Sequence, residues 1–430
     1  MILPTRPQRP RVHYAWIILA VCFFGILAAQ GVRLAFGAFV TPWEHEFSVS
    51  RSTISFVSLV SFVVYGLTQP LVGRLVDRVG VRRVLSLSVL LVGLSLVTAA
   101  FVHSPVALTV VYGILASLGF GGASGVAASV AVTQWFKARR GLAFGIIEAG
   151  FGAGQLVLVP ASLFLIEAYG WRVTLGALGA FSVVIVVPLL LTFLRAGPAD
   201  LGLRPYGEDT SDELAPDVTT APTVTPDPPA SRVNLWTTRA FWSLALPFFI
   251  CGVSTTGMID THLVPFAHDH GYSTGVTGAA VSLLAAFNIL GTLASGPLAD
   301  RLDNRKILGT LYAVRAVTLV VLVVAPHHSV WLMGFGMVFG LVDFAVLAPT
   351  QVLASRLFEG HSVGTVFGLL SLSHQLGSAL GAYLPGVLYD LTGSYTVAFL
   401  AAAAGLVLGS LLSFSVPRHP LLPRTHSVTA

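Results

Sequence analysis

The sequence predicts an all-α membrane protein in which twelve transmembrane helices form two pseudo-symmetric six-helix bundles. Three observations carry that reading: the composition, the length and number of the apolar runs, and an internal repeat. Of 430 residues, 55% are hydrophobic and 10% are charged, and the mean hydropathy is +0.82. A soluble domain carries about a quarter charged residues, so this composition excludes a water-soluble globule, a disordered chain and a nucleic-acid module. The net charge of +5 sits mostly in short loops between apolar runs, where it reads as membrane topology rather than as an acidic partner.

Apolar runs of spanning length fall at 16–40, 53–76, 84–102, 106–134, 142–166, 172–194, 240–267, 275–298, 307–325, 330–356, 363–388 and 395–416. At ~1.5 Å per residue each crosses a ~30 Å hydrocarbon core as a helix, whereas barrel strands are shorter and alternate. Arg6, Arg9 and Arg11 precede the first run, which is too long for a signal-peptide core and reads as a first span doubling as signal anchor. Cys22 and Cys251 each fall inside an apolar run, as buried small residues rather than a disulfide framework.

With both termini inside, cytoplasmic segments hold twenty of the 24 Lys and Arg residues, outer loops hold Arg51 and Arg172, and Arg33 and Arg315 lie within spans. This bias orients the chain in a cell membrane with both termini cytoplasmic. Between Arg195 and Arg239 the composition turns to Pro, Thr, Ser and acid, which reads as a disordered linker. The expected organisation is an N-terminal half over 1–195, a cytoplasmic linker over 196–238 and a C-terminal half over 239–430.

The halves match at a constant offset of 223 positions: Pro42 with Pro265, Ser50 with Ser273, Gly73 with Gly296, Asp77 with Asp300, Arg78 with Arg301, Gly154 with Gly377 and Gly170 with Gly393. An ungapped register over this distance marks a duplication. Repeat-built membrane folds of this type place a binding site between the halves near the midplane.

Gly73-Arg-Leu-Val-Asp77-Arg78-Val-Gly80-Val-Arg82-Arg83 follows the second run, and Gly296-Pro-Leu-Ala-Asp300-Arg301-Leu-Asp303-Asn304-Arg305-Lys306 follows the eighth. Both resemble the signature loop of the major facilitator superfamily of transporters. Within it, Trp135-Phe136-Lys137-Ala-Arg139-Arg140-Gly141, the glycine-rich fifth helix and Tyr169-Gly170-Trp171-Arg172 look like the monocarboxylate and oxalate/formate branch. The resemblance implies alternating access, with Asp77, Arg78, Asp300 and Arg301 as gating residues. It also implies cavity lining by helices 1, 4, 5, 7, 8, 10 and 11. The chain departs from the branch in helix 8, where Ala286-Phe-Asn288-Ile-Leu-Gly291-Thr292 lacks the arginine that usually anchors a carboxylate. Arg33 is near the place of the branch's basic residue in helix 1, and His374 takes the helix-11 position of a lysine in oxalate-transporter-like members.

A charge at bilayer depth costs roughly 2.5–3.5 kcal/mol, so each ionisable residue inside a span needs a partner or a role. Those residues are Arg33, Glu148, Asp260, His262, Arg315, Asp343 and His374. Arg33 either grips a substrate carboxylate with its planar fork or pairs with Asp260. Asp260 and His262 lie two apart, on different helix faces. Arg315 and Asp343, on consecutive antiparallel helices, read as a structural pair, with Asp343 also a proton-coupling candidate. Glu148 is a proton site or a partner for loop arginines, and His374 faces the cavity or packs between helices.

The expected function is secondary active transport of a small organic, monocarboxylate-like anion with proton symport. Arg33, His374, Asn288 and Gln155 are its substrate-binding candidates, and Asp260, Glu148, His262 and Asp343 its proton-coupling candidates. The alternatives are a proton-driven exporter of amphipathic or cationic compounds and a non-transporting membrane receptor. His268 and His270 lack a second ligand pair for a metal, and no nucleophile or nucleotide motif points to an enzyme or cofactor. Partners are expected to be the substrate, protons and lipid, with no nucleic acid and a monomeric state.

Overall fold

The structure is a computed structural model and describes residues 13–195, 197–208, 238–326, 328–358 and 363–417. Among these the regular structure is helical, apart from one isolated bridge between Phe136 and Tyr206. α1 comprises Tyr14–Leu34 and Phe36–Phe47, α2 is Arg51–Val79 and α3 is Val81–Ala99. α4 joins Pro105–Leu108, a wide π turn at Thr109–Ala116, Ser117–Gly122 and Gly125–Trp135. Arg140–Phe181 bends at Gly170 (φ 80°, ψ 163°) into α5 (140–169) and α6, which runs on through Ser182–Val186 and Val187–Phe193.

In the second half, α7 joins Arg239–Gly252, a wide turn at Val253–Ile259 and Asp260–Asp269. α8 is Thr274–Arg301 and α9 is Asn304–Val324. α10 joins Ser329–Val342, Phe344–Val346 and Leu347–Leu357, followed by α11 (Val363–Thr392) and α12 (Thr396–Ser415). Ten helical segments meet the length and hydropathy of a span, and one of them, Leu142–Phe193, contains both α5 and α6. With the 30-residue α11 the spans number twelve among the described residues.

The sequence repeat is also a repeat in space. Ser50 and Ser273 stand at the N-caps of α2 and α8, and Gly170 and Gly393 both take positive φ where α5 and α11 end. Only glycine adopts that backbone without strain. Gly154 of α5 meets Gly31 of α1 so closely that a Cβ on Gly31 would lie 2.8 Å from the Gly154 Cα, and Gly377 of α11 lies as tightly against the Phe249 carbonyl of α7. Small residues let backbones touch where lipid provides no hydrophobic drive. The halves meet along α2 with α11 and α5 with α8.

The linker expected at 196–238 is folded over its first described residues. Tyr206 exchanges backbone hydrogen bonds with the α4–α5 connection, accepting from Lys137 N (2.9 Å) and Ala138 N (3.0 Å) and donating to the Trp135 carbonyl (2.8 Å). Its ring packs against His13, Trp16 and Phe136, and Glu208 pairs with Lys137. One aromatic in a polar stretch thus suffices to dock it. Residues 209–237 lie outside the described ones, as do the side chains of Asp77 and Asp300.

Candidate functional site

The first part of the site lies where α1 crosses α7. α1 breaks at Ala35 (φ −77°, ψ 0°), one turn beyond Gly31, and Gly37 lets its backbone rest on the carbonyls of Asp260 and Thr261. Arg33, in the last turn before the break, is half-buried. Its Nε donates to Gln30 Oε1 at 2.8 Å. Gln30 in turn donates to the Phe120 and Ala123 carbonyls (2.9 and 2.8 Å), which the break in α4 at Ala123 (φ −92°, ψ 47°) leaves available. The guanidinium lies over the rings of Tyr65 (4.6 Å) and Phe62 (5.5 Å). Neither Nη group has a hydrogen bond, and Arg33 makes no ion pair, among the described residues. Arg33 lines a narrow pocket between the halves, together with Ser58, Ser61, Tyr112, Asp260 and Thr261.

Asp260 starts the last segment of α7, after the wide turn that resets the helix register. Its Oδ1 accepts from Gln155 Nε2 of α5 at 3.1 Å, a bond between the halves, and it lies within electrostatic reach of Arg33 and Asp343. Gln155 is therefore held by the C-terminal half rather than left open. Glu148, two turns earlier on α5, is exposed, with Gly125 of α4 beside its carboxyl.

The second part belongs to the C-terminal half. Arg315 of α9, fully buried, donates Nε and Nη2 to the Val342 carbonyl (3.1 and 2.9 Å) and Nη1 to Cys251 Sγ (3.1 Å). Its Nη2 stands 3.8 Å from Asp343 Oδ1. The ion pair expected from sequence therefore forms, but through space rather than through a hydrogen bond. Asn288 of α8 donates to Asp343 Oδ2 at 3.3 Å and accepts from Thr292. His374 of α11 is buried against Phe248 (4.7 Å) with Ser378 Oγ 3.5 Å from Nδ1.

The third part closes the end of the bundle opposite the chain termini. Arg51, 5% exposed at the start of α2, donates Nε and Nη2 to Glu44 (2.6 and 2.9 Å) and pairs with Asp269 of α7. It also lies 3.9 Å over the ring of Tyr389. Asp390 of α11 caps α2 by accepting from Arg51 N (3.1 Å) and Ser52 N (2.9 Å), as anions at helix N-termini do. Behind it, His262 is fully buried, with Nε2 2.7 Å from the Ala382 carbonyl and Nδ1 2.9 Å from Tyr395 Oη. A carbonyl accepts only, so Nε2 carries the proton, Nδ1 accepts from Tyr395 and the Tyr395 oxygen accepts from Arg51 Nη1 at 3.3 Å. His262 thus buttresses this end of the molecule and does not reach the Arg33 pocket, while Asp260 on the other helix face does.

At the opposite end, Arg78 and Arg301 are exposed. In the α8–α9 connection, hydrogen bonds from Arg305 Nε (3.1 Å) and Nη2 (2.7 Å) hold the Asp303 carboxyl below the usual carboxylate range. Hydrogen bonds between the halves include those from Arg51 and Ser52, Ser58 with Thr261, Gln155 with Asp260 and Ser282 with the Leu156 carbonyl. Sequence reasoning missed Gln30, Cys251 and the role of Arg51. Arg51 carried one signal: it is one of two cations on the cation-poor side, with acids at the ends of neighbouring spans.

The family model for the Major Facilitator Superfamily matches residues 21–291 and 257–428. The chain is 27% identical over 403 residues to an uncharacterized MFS-type transporter, YcxA, of Bacillus subtilis, covering 90% of this chain and 91% of that one. It is 26% identical to monocarboxylate transporter 12-B of Danio rerio, over 95% of this chain and 88% of the relative. In fold it is similar to a bacterial homolog of the human lysosomal transporter Spinster, solved inward-facing and unoccupied, with a TM-score of 0.73 at 16% identity over 96% of this chain and 98% of that one. Twelve spans, the duplicated loop and the family match along nearly the whole length agree, and the chain belongs to the major facilitator superfamily.

Proposed function

We propose that this transporter carries a small monocarboxylate-like anion across a cell membrane by alternating access, together with a proton, with both termini cytoplasmic. One observation carries the reading: Arg33 presents two uncommitted Nη groups to a pocket between the halves. A planar, permanently charged fork suits a carboxylate, and Asp260, lining the same pocket within electrostatic reach of Arg33, is a candidate proton acceptor. The monocarboxylate transporters among the relatives support the same substrate class. His374, with Asn288 and Gln155 as neutral donors, completes the anion surface once the halves separate, and Glu148 is a further proton acceptor.

The Arg51 cluster serves as the outer gate. Asp77, Arg78, Asp300 and Arg301 serve as the inner gate, so Asp77→Asn is expected to slow turnover strongly while substrate binding survives. Unchanged turnover in that variant removes the inner-gate assignment.

Purified protein in vesicles, given labelled mono- and dicarboxylates with and without a pH gradient, tests the function. Accumulation of a monocarboxylate driven by an inward proton gradient is the expected result. Uptake of organic cations in place of anions defeats the proposal.

A further inference from the structure

α10 breaks at Asp343 (φ −65°, ψ −81°), between Ser329–Val342 and the tight turn Phe344–Val346. The break leaves the Val342 carbonyl without a helical partner, and Arg315 takes it with two N–H groups while giving a third to Cys251. The guanidinium is thus spent on neutral acceptors, and Tyr312 and Phe339 rings lie 5.6 and 6.0 Å from it. Asp343 beside it is 5% exposed; its Oδ1 is buried with no hydrogen-bond partner, and Oδ2 has a single long bond from Asn288. A carboxylate left half-satisfied at this depth is costly and marks a functional position.

The groups facing it are Arg315 and Tyr312 from α9, Cys251 and the more distant Asp260 from α7, Asn288 from α8 and His374 from α11. Arg315 is the only one of these with a permanent charge.

We infer that Asp343 is the proton-loading site of the C-terminal half and that its occupancy sets the charge an anion meets there. A proton that reaches the unpartnered Oδ1 turns the carboxylate into a neutral acid, while Oδ2 keeps the Asn288 bond. Arg315 then lacks a counter-charge, and its field, little screened in a low-dielectric interior, favours an anion in the Arg33 pocket, whose Asp260 lies within electrostatic reach of Asp343. When the proton leaves, the pair is neutral again and the attraction ends. Proton before anion is the binding order this gives, with a net neutral load. The inference rests on the anion-transport reading for its purpose but not for its chemistry.

Infrared difference spectra of the purified protein in lipid nanodiscs, taken on acidification, read the site without any substrate. A carboxylic-acid C=O band is expected in the wild type, with one component lost in Asp343→Asn and regained, at a shifted frequency, in Asp343→Glu. In vesicles, uptake of labelled lactate by the wild type is expected to rise several-fold with an inward proton gradient; the rise is lost in Asp343→Asn and returns in Asp343→Glu. An unchanged infrared band in both variants, or a gradient response that survives Asp343→Asn, overturns the inference. If the wild type moves no lactate while the infrared component follows Asp343, the transport reading fails and the proton site stands.

Discussion

At the scale of single residues, the proposed anion reading rests most on Arg33, and its surroundings explain how it is kept available. A guanidinium with no carboxylate in contact would swing toward any acceptor, but Gln30 holds Nε and the Tyr65 and Phe62 rings flank the plane. Arg33→Lys keeps the charge and loses the fork, so anion binding is expected to weaken by the ~1.5–3 kcal/mol of a charge-assisted hydrogen bond, about 10- to 100-fold in Kd. Arg33→Gln is expected to abolish uptake. The double variant Arg33→Gln/Asp260→Asn separates two roles: binding restored in the double makes Arg33 a neutraliser of Asp260, and binding absent from it keeps Arg33 on the substrate.

Residue-scale legibility follows from charge. Arg33, Asp260, Arg315 and Asp343 stand out in sequence because ionisable groups are rare within apolar runs. Gln30, Cys251 and Tyr395 do not, because a neutral side chain in a span looks like filler until its partner is seen.

At the scale of elements, the spans themselves are legible from run length, and the breaks inside them are not. The interruptions in α1 at Ala35 and α4 at Ala123 occur where hydropathy has no signal, whereas α10 breaks at its charged Asp343. Those in α4 and α10 are supported by tertiary partners, Gln30 and Arg315, which take up the freed carbonyls.

The ends of α1, α2, α7 and α11 are joined by Arg51, and the proposed outer gate makes a prediction. Arg51→Gln leaves Glu44 and Asp269 facing each other without a cation, and losing one partner of a buried ion pair costs about 3–5 kcal/mol. The closed arrangement at this end loses that amount relative to the open one. A cysteine placed at Ser58, buried in the pocket between the halves, is therefore expected to react many-fold faster with a membrane-impermeant thiol reagent in Arg51→Gln. Equal labelling rates in the two backgrounds would show that Arg51 does not hold the gate shut.

The α8–α9 connection offers a smaller test. Asp303 caps α9 and its carboxyl lies below the usual range through Arg305. Its contribution is thus present above the ordinary carboxylate range and is lost as pH falls through the lowered value. Amide exchange at Arg305 is expected to quicken only in that acid window, and Asp303→Asn to remove the pH dependence.

At the scale of the whole molecule, the alternating-access reading requires the two halves to move against each other while each stays rigid. The tight glycine crossings of α1 on α5 and α7 on α11 provide the rigidity, and the covalent link between halves must not oppose the motion. Residues 203–208 belong to the rigid N-terminal half rather than to that link. Up to Glu208 the chain is fastened to the α4–α5 connection through Tyr206 and Lys137, so the tether effectively begins after it. Residues 209–231 hold little that a core would bury.

Replacing 209–231 with about 15 Gly and Ser residues preserves a flexible reach and is expected to leave uptake near wild type. Tyr206→Ala in the intact chain is expected instead to lower the stability of the N-terminal half by about 1–2 kcal/mol, since the ring is half-buried and full burial contributes ~1.5–3 kcal/mol. The two variants are read by the same pair of measurements, vesicle uptake and thermal melting in detergent. A correctly inserted replacement that has lost uptake while melting like the wild type makes 209–231 an active part of transport. A Tyr206→Ala protein that melts unchanged detaches the strap from the fold and moves the start of the tether back to the end of α6.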